Sequence, residues 1–147
     1  MIRISDLAID WIEEVLTIEE RCHLFPWSRQ MLSDSWEQGH WFLGVFQNEC
    51  LVGYVVVGPV LTEHHLLSIT VDINHQRKGF GRRLLHETMQ HSVRMGAETM
   101  LLEVRAKNIG ALRLYEQCGF VPIGIRKGYY PAVFGVSEDA IVMRVFL

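Results

Sequence analysis

Apolar residues in this chain follow two periods in turn: short continuous or alternating runs of strand type, and longer stretches where they return at helical spacing. Ile2 and Ile4 alternate with Arg3 and Ser5, which predicts a short first strand. Asp10 is placed to cap a helix over 11–23, where Trp11, Val15, Ile18 and Cys22 share a face opposite one rich in glutamate. Phe25, Pro26 and Trp27 end that helix, because proline restricts the residue before it, and Ser28 can cap a second helix to about residue 38. Runs at 41–46 and 51–60, joined across 47–50, read as a hairpin, with Gly58 and Pro59 marking an irregular strand end. The run LLSITV at 66–71 predicts the central strand, and after a polar turn Leu84, Leu85, Met89 and Val93 give a helix its apolar face. Gly96 stops it. Residues 99–104 predict a strand buried on both faces, Asn108 can cap a short helix over 109–118, and Gly119 suits the positive φ of a helix end. Strands at 121–129 and 140–146, joined by a loop around Pro131 and Gly135, complete the chain.

This order implies a mixed α/β sheet with helices on both faces. The 147 residues, without internal repeat or low-complexity linker, are read as a single domain, 1–147. A hydrophobic fraction of 49% excludes disorder, and a net charge of -3 argues against general nucleic-acid binding. Cys22, Cys50 and Cys118 are odd in number and lack CxxC spacing, which favours free thiols in a reducing compartment. No run approaches the roughly twenty apolar residues of a membrane span. The expectation is therefore a soluble, cytoplasmic protein with no membrane partner. Adjacent His64 and His65 point to opposite faces of a strand, and His86 and His91 lie five apart rather than four, so no metal site is expected.

The turn at 72–83 carries the chemistry. Gly79 and Gly81 let the backbone bend where a first helical turn leaves its amides without partners, and Arg77, Lys78, Arg82 and Arg83 add positive charge. An anion of phosphate size suits such a place. A P-loop is excluded, because the lysine precedes the glycines and no hydroxyl follows; a dinucleotide fingerprint would need glycine where Leu84 stands. An ordinary strand-to-helix turn with basic surface residues stays open as the alternative. Glu103 interrupts a run that otherwise reads as buried, so it must be paired, with Arg105 or another cation, neutralised or functional.

The hexapeptide Gln76-Arg77-Lys78-Gly79-Phe80-Gly81 fits Gln/Arg-x-x-Gly-x-Gly/Ala. With ERCH and FPWS in 20–28, QRKGFGRRLL at 76–85, LEVRAKN at 102–108, ALRLYEQCGF at 111–120, GYYP at 128–131 and EDAIVM at 138–143, the chain resembles the GNAT superfamily of N-acetyltransferases over nearly its whole length. The resemblance implies a seven-stranded, mostly antiparallel sheet splayed between strands 4 and 5, with four helices on both faces. It implies acetyl-CoA as cofactor, coenzyme A as product, and a protein amino terminus as acceptor, with a small-subunit ribosomal protein beginning in alanine as the best fit. Monomer or weak dimer is the implied state.

Residue by residue, the resemblance assigns the pyrophosphate to Arg77, Lys78, Gly79, Phe80, Gly81 and Arg82, and the pantetheine arm to the edge of Ile69, Thr70 and Val71, with Asn108 also touching the cofactor. Glu103 takes the position of the proton acceptor and Tyr115 that of the proton donor to the leaving thiolate, its hydroxyl facing the sulfur. Phe25, Trp27, Tyr129 and Tyr130 would close over the acceptor peptide. Read from the residues alone, Tyr115 is better taken as a core tyrosine, Asn108 is open to being only a helix cap, and the aromatics are equally loop packing. Ile73, His75, Lys107 and Gly110 depart from the family's usual residues around the cofactor turn. Cys118 is a rival nucleophile without an evident histidine base. Other acceptors stay open: lysine side chains, small amines, or no acceptor at all in a non-catalytic acyl-CoA-binding module.

Overall fold

The computed structural model describes residues 1–133 and 136–147. In chain order the elements are β1 (Ile2–Asp6), α1 (Ile12–Cys22), α2 (Arg29–Glu37), β2 (Trp41–Gln47), β3 (Cys50–Val60), β4 (Glu63–Val71), α3 (Phe80–Arg94), β5 (Thr99–Arg105), α4 (Ile109–Gln117), β6 (Val121–Val133) and β7 (Val136–Phe146). One seven-stranded sheet has the order β1-β2-β3-β4-β5-β7-β6, with β4 and β5 parallel and every other neighbouring pair antiparallel.

Alternation along β3 divides the core. Tyr54 and Val56 face α1 and α2 with Val15, Ile18 and Leu32, whereas Val55 and Val57 face α3 and α4 with Leu84, Leu85 and Tyr115. Leu84, Leu85, Met100 and Met143 are fully buried, each worth about 1.5–3 kcal/mol of apolar transfer. The hairpin turn is the two-residue Asn48-Glu49, both at positive φ (50° and 67°), the conformation that matches the twist of its strands. Ser28 caps α2 by accepting from the Met31 amide at 3.1 Å, Asn108 caps α4 by accepting from Ala111 at 3.2 Å, and Gly96 and Gly119 follow α3 and α4 at φ 92° and 97°.

Several expectations need correction. Asp10 caps nothing: it lies inside a 3-10 turn, Ile9–Trp11, that runs straight into α1. β3 continues through Gly58 and Pro59 to Val60, and its pairing is irregular earlier, at Val52 against β2 and between Val56 and Val57 against β4. Val93 is 51% exposed; the buried stripe of α3 is Phe80, Leu84, Leu85, Thr88 and Ser92, because Ser92 bonds the buried His64 at 3.0 Å and Thr88 folds back onto the Leu84 carbonyl. β5 is buried on one face only: Met100, Leu102 and Val104 are covered, while Leu101, Glu103 and Arg105 are half-open. Pro131, expected in a loop, belongs to β6, and Gly135 lies outside the described residues.

One irregularity shapes the molecule. Val56 and Val57 face Ser68 and Leu66, so Leu67 is an extra residue on β4, a β-bulge. It reverses the strand's parity: Leu66 faces α3, but beyond the bulge Ile69 and Val71 take that face and Thr70 turns toward α1. The parallel ladder between β4 and β5 stops at the same place, with Leu66 opposite Leu102. Beyond that pair β4 runs on to Val71 and β5 to Arg105, each paired only on its outer side, to β3 and β7. The sheet opens between them.

Candidate active site

The turn after β4 is built to present amides. A 3-10 turn, Ile73–His75, hangs from Asp72, whose amide donates to the Val52 carbonyl at 2.8 Å and whose buried carboxylate accepts from Arg21 at 2.5 Å. Gln76 folds back, its Nε2 donating to the Val71 carbonyl at 2.9 Å. Arg77 at φ 61° and Gly79 at φ 84° then bend the chain into α3, and the first amide to donate backward is Arg83, to the Gly79 carbonyl at 3.2 Å. Among the described residues the amides of 76–82 find no acceptor in the protein. Around Gly79 the space is open: a Cβ there would meet nothing within 4 Å. Arg77, Lys78 and Arg83 are exposed without an acidic partner among the described residues, and Arg82 bonds Gln117. With unpartnered amides, a helix start and cations, the residues present fit a pyrophosphate group.

Two cavities flank the opening. One, of about 480 Å³, reaches from Ile69, Thr70 and Val71 across to Arg105, Asn108 and Glu138, with His23 and Phe25 beside it. The other, of about 460 Å³, is lined by Trp27, Leu67, Glu103, Arg126, Tyr129 and Tyr130. The loop between α1 and α2 thus contributes to both, and so do the two strands that part. Ile69, Thr70, Val71 and Asn108 lie together in the first cavity; Trp27, Glu103, Tyr129 and Tyr130 lie together in the second.

Glu103 is the first residue of β5 beyond the last β4 pair. Its side chain is 30% exposed and pairs with Arg126 at 3.2 Å, so the cation is Arg126 rather than Arg105. Arg105 instead bonds Glu138 at 3.3 Å and lies 4.2 Å from the Tyr130 ring centre, while Arg126 lies 5.0 Å from that of Tyr129. The two tyrosines meet edge to face at 5.1 Å. Burial, with the Glu103 carboxylate beside it, pushes the Tyr130 phenol up to about 12.

Tyr115 lines neither cavity. It is 7% exposed in the core beside Phe120, their rings 5.8 Å apart, on the sheet face opposite the one from which Glu103 leaves β5. Desolvation, with Tyr130 adding to it, raises its phenol well above the ordinary value, so it stays protonated and keeps its O–H to donate at neutral pH. The Cys118 thiol is likewise raised by burial, which leaves little thiolate for the rival nucleophilic role. Among the described residues no group of three His, Cys, Asp or Glu side chains is arranged to hold a metal ion, and no helix is long and apolar enough to cross a membrane.

Sequence reasoning missed Glu19. It counts with the polar residues of α1, yet it is 2% exposed and accepts from the Tyr54 hydroxyl and, at 3.0 Å, from the Trp27 amide. Its position four residues after Val15 and three before Cys22, within the apolar stripe, was the available signal. Glu138, which accepts from the Lys107 amide at 3.0 Å as well as from Arg105, was also missed, for want of any pattern in sequence that ties it to β5.

The model of the acetyltransferase (GNAT) family matches residues 12–120. The chain is 37% identical over 142 residues to the [ribosomal protein bS18]-alanine N-acetyltransferase of Escherichia coli K12, covering 97% of this chain and 95% of that protein. The crystal structure of the ribosomal-protein-S18-alanine N-acetyltransferase from Escherichia coli superposes with a TM-score of 0.94 at 36% identity, over 99% of this chain and 94% of the other. The fold also matches yncA from Salmonella typhimurium, solved with its cofactor acetyl-CoA, at a TM-score of 0.82 and 19% identity over 99% and 94% of the two chains. The parted strands, the amide-rich turn and these likenesses together make the chain a member of the GNAT acetyltransferase family.

Proposed function

We propose that this protein transfers acetyl from acetyl-CoA to the α-amine of a protein amino terminus, with an alanine-initiated small-subunit ribosomal protein as its acceptor. The observation that carries this reading is the parting of β4 and β5, with a cavity holding a carboxylate at the opening and the amide-rich turn at the end of β4. The likeness to proteins named for acetylating ribosomal alanine supports the choice of acceptor.

Acetyl-CoA supplies a thioester, an acyl carbon activated toward amines. The amides of 76–82 hold its pyrophosphate, with Phe80 and Arg82 at the start of α3. The free edge of Ile69, Thr70 and Val71 pairs with the amide-bearing arm as an added strand does, and Asn108 borders the same path. A backbone N–H near Val71 polarises the carbonyl. An amino-terminal amine with a pKa of about 8 is mostly protonated at pH 7 and must lose its proton before it attacks. Glu103 takes that proton, directly or through water, in the cavity where Trp27, Tyr129 and Tyr130 hold the peptide and Phe25 borders its neighbour. The family resemblance gives the role of hydrogen-bond donor to the departing thiolate to Tyr115, although its ring lines neither cavity. Full proton transfer from an unperturbed phenol to a thiol of pKa about 8.5 is already uphill by roughly 2 kcal/mol, and burial makes it steeper.

The test is an acceptor panel: a peptide beginning with alanine, its amino-blocked version carrying a lysine, and spermidine, each with acetyl-CoA and analysed by tandem mass spectrometry. Acetylation confined to the free alanine amine is the expected result. Acetylated lysine or spermidine would move the protein to another acceptor class, and coenzyme A binding without product would make it a non-catalytic module.

A further inference from the structure

We infer that Glu19, remote from the reacting atoms, is a positioning residue that locks the acceptor-binding loop onto strand β4. The inference rests on the proposed acceptor site and adds a part to it. A carboxylate that is 2% exposed is costly unless its oxygens are bonded, and here each has a job. Oε1 takes the Tyr54 hydroxyl from β3 and lies 3.6 Å from His23 Nε2; Oε2 takes the Trp27 amide at 3.0 Å. His23 Nε2 in turn meets Thr70 Oγ1 at 2.9 Å. Thr70 sits on the stretch of β4 that faces the opening. Beside this network Cys22 Sγ donates to the Val71 carbonyl at 3.5 Å and Arg21 bonds Asp72. The end of α1 is thereby fastened to three consecutive residues, Thr70, Val71 and Asp72, on one side and, through Glu19, to the loop carrying Phe25 and Trp27 on the other.

Only Trp27 has no substitute. Its amide can donate but not accept, and Glu19 is its partner, whereas the Tyr54 hydroxyl can turn to another group. Removing the carboxylate frees the loop that lines both cavities and leaves the turn at 76–82 untouched. Acceptor binding therefore suffers more than cofactor binding, whose pyrophosphate turn keeps its anchors and whose arm meets the loop only at the rim of the first cavity.

Steady-state kinetics of Glu19→Ala and Glu19→Gln, with acetyl-CoA and an alanine-initiated peptide, separate this from a purely structural role. In Glu19→Ala the peptide KM rises about tenfold or more, in keeping with a lost charge-assisted hydrogen bond, while the acetyl-CoA KM rises less, by about threefold at most. Glu19→Gln, whose Oε1 still accepts from Trp27 and whose amide donates to Tyr54, stays within about threefold of the parent. Equal losses toward both substrates, or no loss in Glu19→Ala, overturn the inference. If Glu19→Ala does not fold, hydrogen exchange of the Trp27 amide in the unaltered protein decides: protection supports the lock and exchange at the rate of a free loop refutes it. That exchange needs no substrate, so failure of the acceptor assignment with a protected Trp27 is told apart from failure of the lock.

Discussion

Gly79→Ala separates the demands of the fold from those of the cofactor. Gly79 sits at φ 84°, where an L side chain costs about 1–2 kcal/mol, and an added Cβ meets nothing within 4 Å, so no steric cost adds to the strain. Unfolding free energy should fall by that 1–2 kcal/mol. Gly81 is the internal control. Its φ is not left-handed, and its added Cβ reaches Leu114 at 3.6 Å and Val71 at 3.9 Å, which are ordinary contacts. Ala there should leave stability unchanged or raise it, by up to about 1 kcal/mol of helix propensity. In the Gly79 variant the chain relieves strain by rotating the amides beside it, and the dissociation constant for acetyl-CoA should rise about tenfold, or roughly 1.4 kcal/mol. Urea unfolding followed by tryptophan fluorescence gives the first number and titration calorimetry the second. A Gly79→Ala protein that loses stability yet binds acetyl-CoA with unchanged affinity would refute the placement of the pyrophosphate on this turn.

Other consequences are as direct. Glu103→Gln should lower kcat by about a hundredfold or more without changing acetyl-CoA affinity, measured at neutral pH by thiol release; unchanged kcat removes Glu103 from the chemistry. Tyr115→Phe keeps the ring against Phe120 and should cost about tenfold or more in kcat with little effect on thermal stability; no loss would make Tyr115 a core residue only. Burial lowers the pKa of His64, so the unfolded chain binds its proton more readily than the folded one; stability is full above the unfolded value of about 6.5 and falls as pH drops through the lowered folded value. Urea midpoints from pH 7.5 to 5 should show that fall, and His64→Gln should flatten it. Ser28→Ala should cost about 1 kcal/mol by removing the cap bond to Met31, again read from urea unfolding.

What could be read in the sequence were features whose cause is local. Ser28, Asn108, Gly96 and Gly119 act within a few residues of themselves, and all four stand where cap and helix-end chemistry put them. The glycine turn was legible for the same reason. The bulge at Leu67 was not, because LLSITV alternates well enough in either parity and only the pairing with β3 shows which residue is extra. That single residue opens the sheet and turns Thr70 toward His23. Glu103 was expected to be buried, but β5 is covered on one face only, so its second face stays open and Arg126 of the distant β6 supplies the partner. Glu19 was hidden because its burial depends on Tyr54 and on the return of the loop at Trp27, both remote from the periodicity of α1.

The central claim is that the cofactor enters where β4 and β5 part. A crystal structure with coenzyme A and an alanine-initiated peptide tests it most directly. The account predicts the pyrophosphate within hydrogen-bonding distance of the amides of 76–82, the pantetheine arm along Ile69, Thr70 and Val71, and the peptide amine on the Glu103 side of the opening. A diphosphate bound elsewhere, or an amine remote from Glu103, would contradict it.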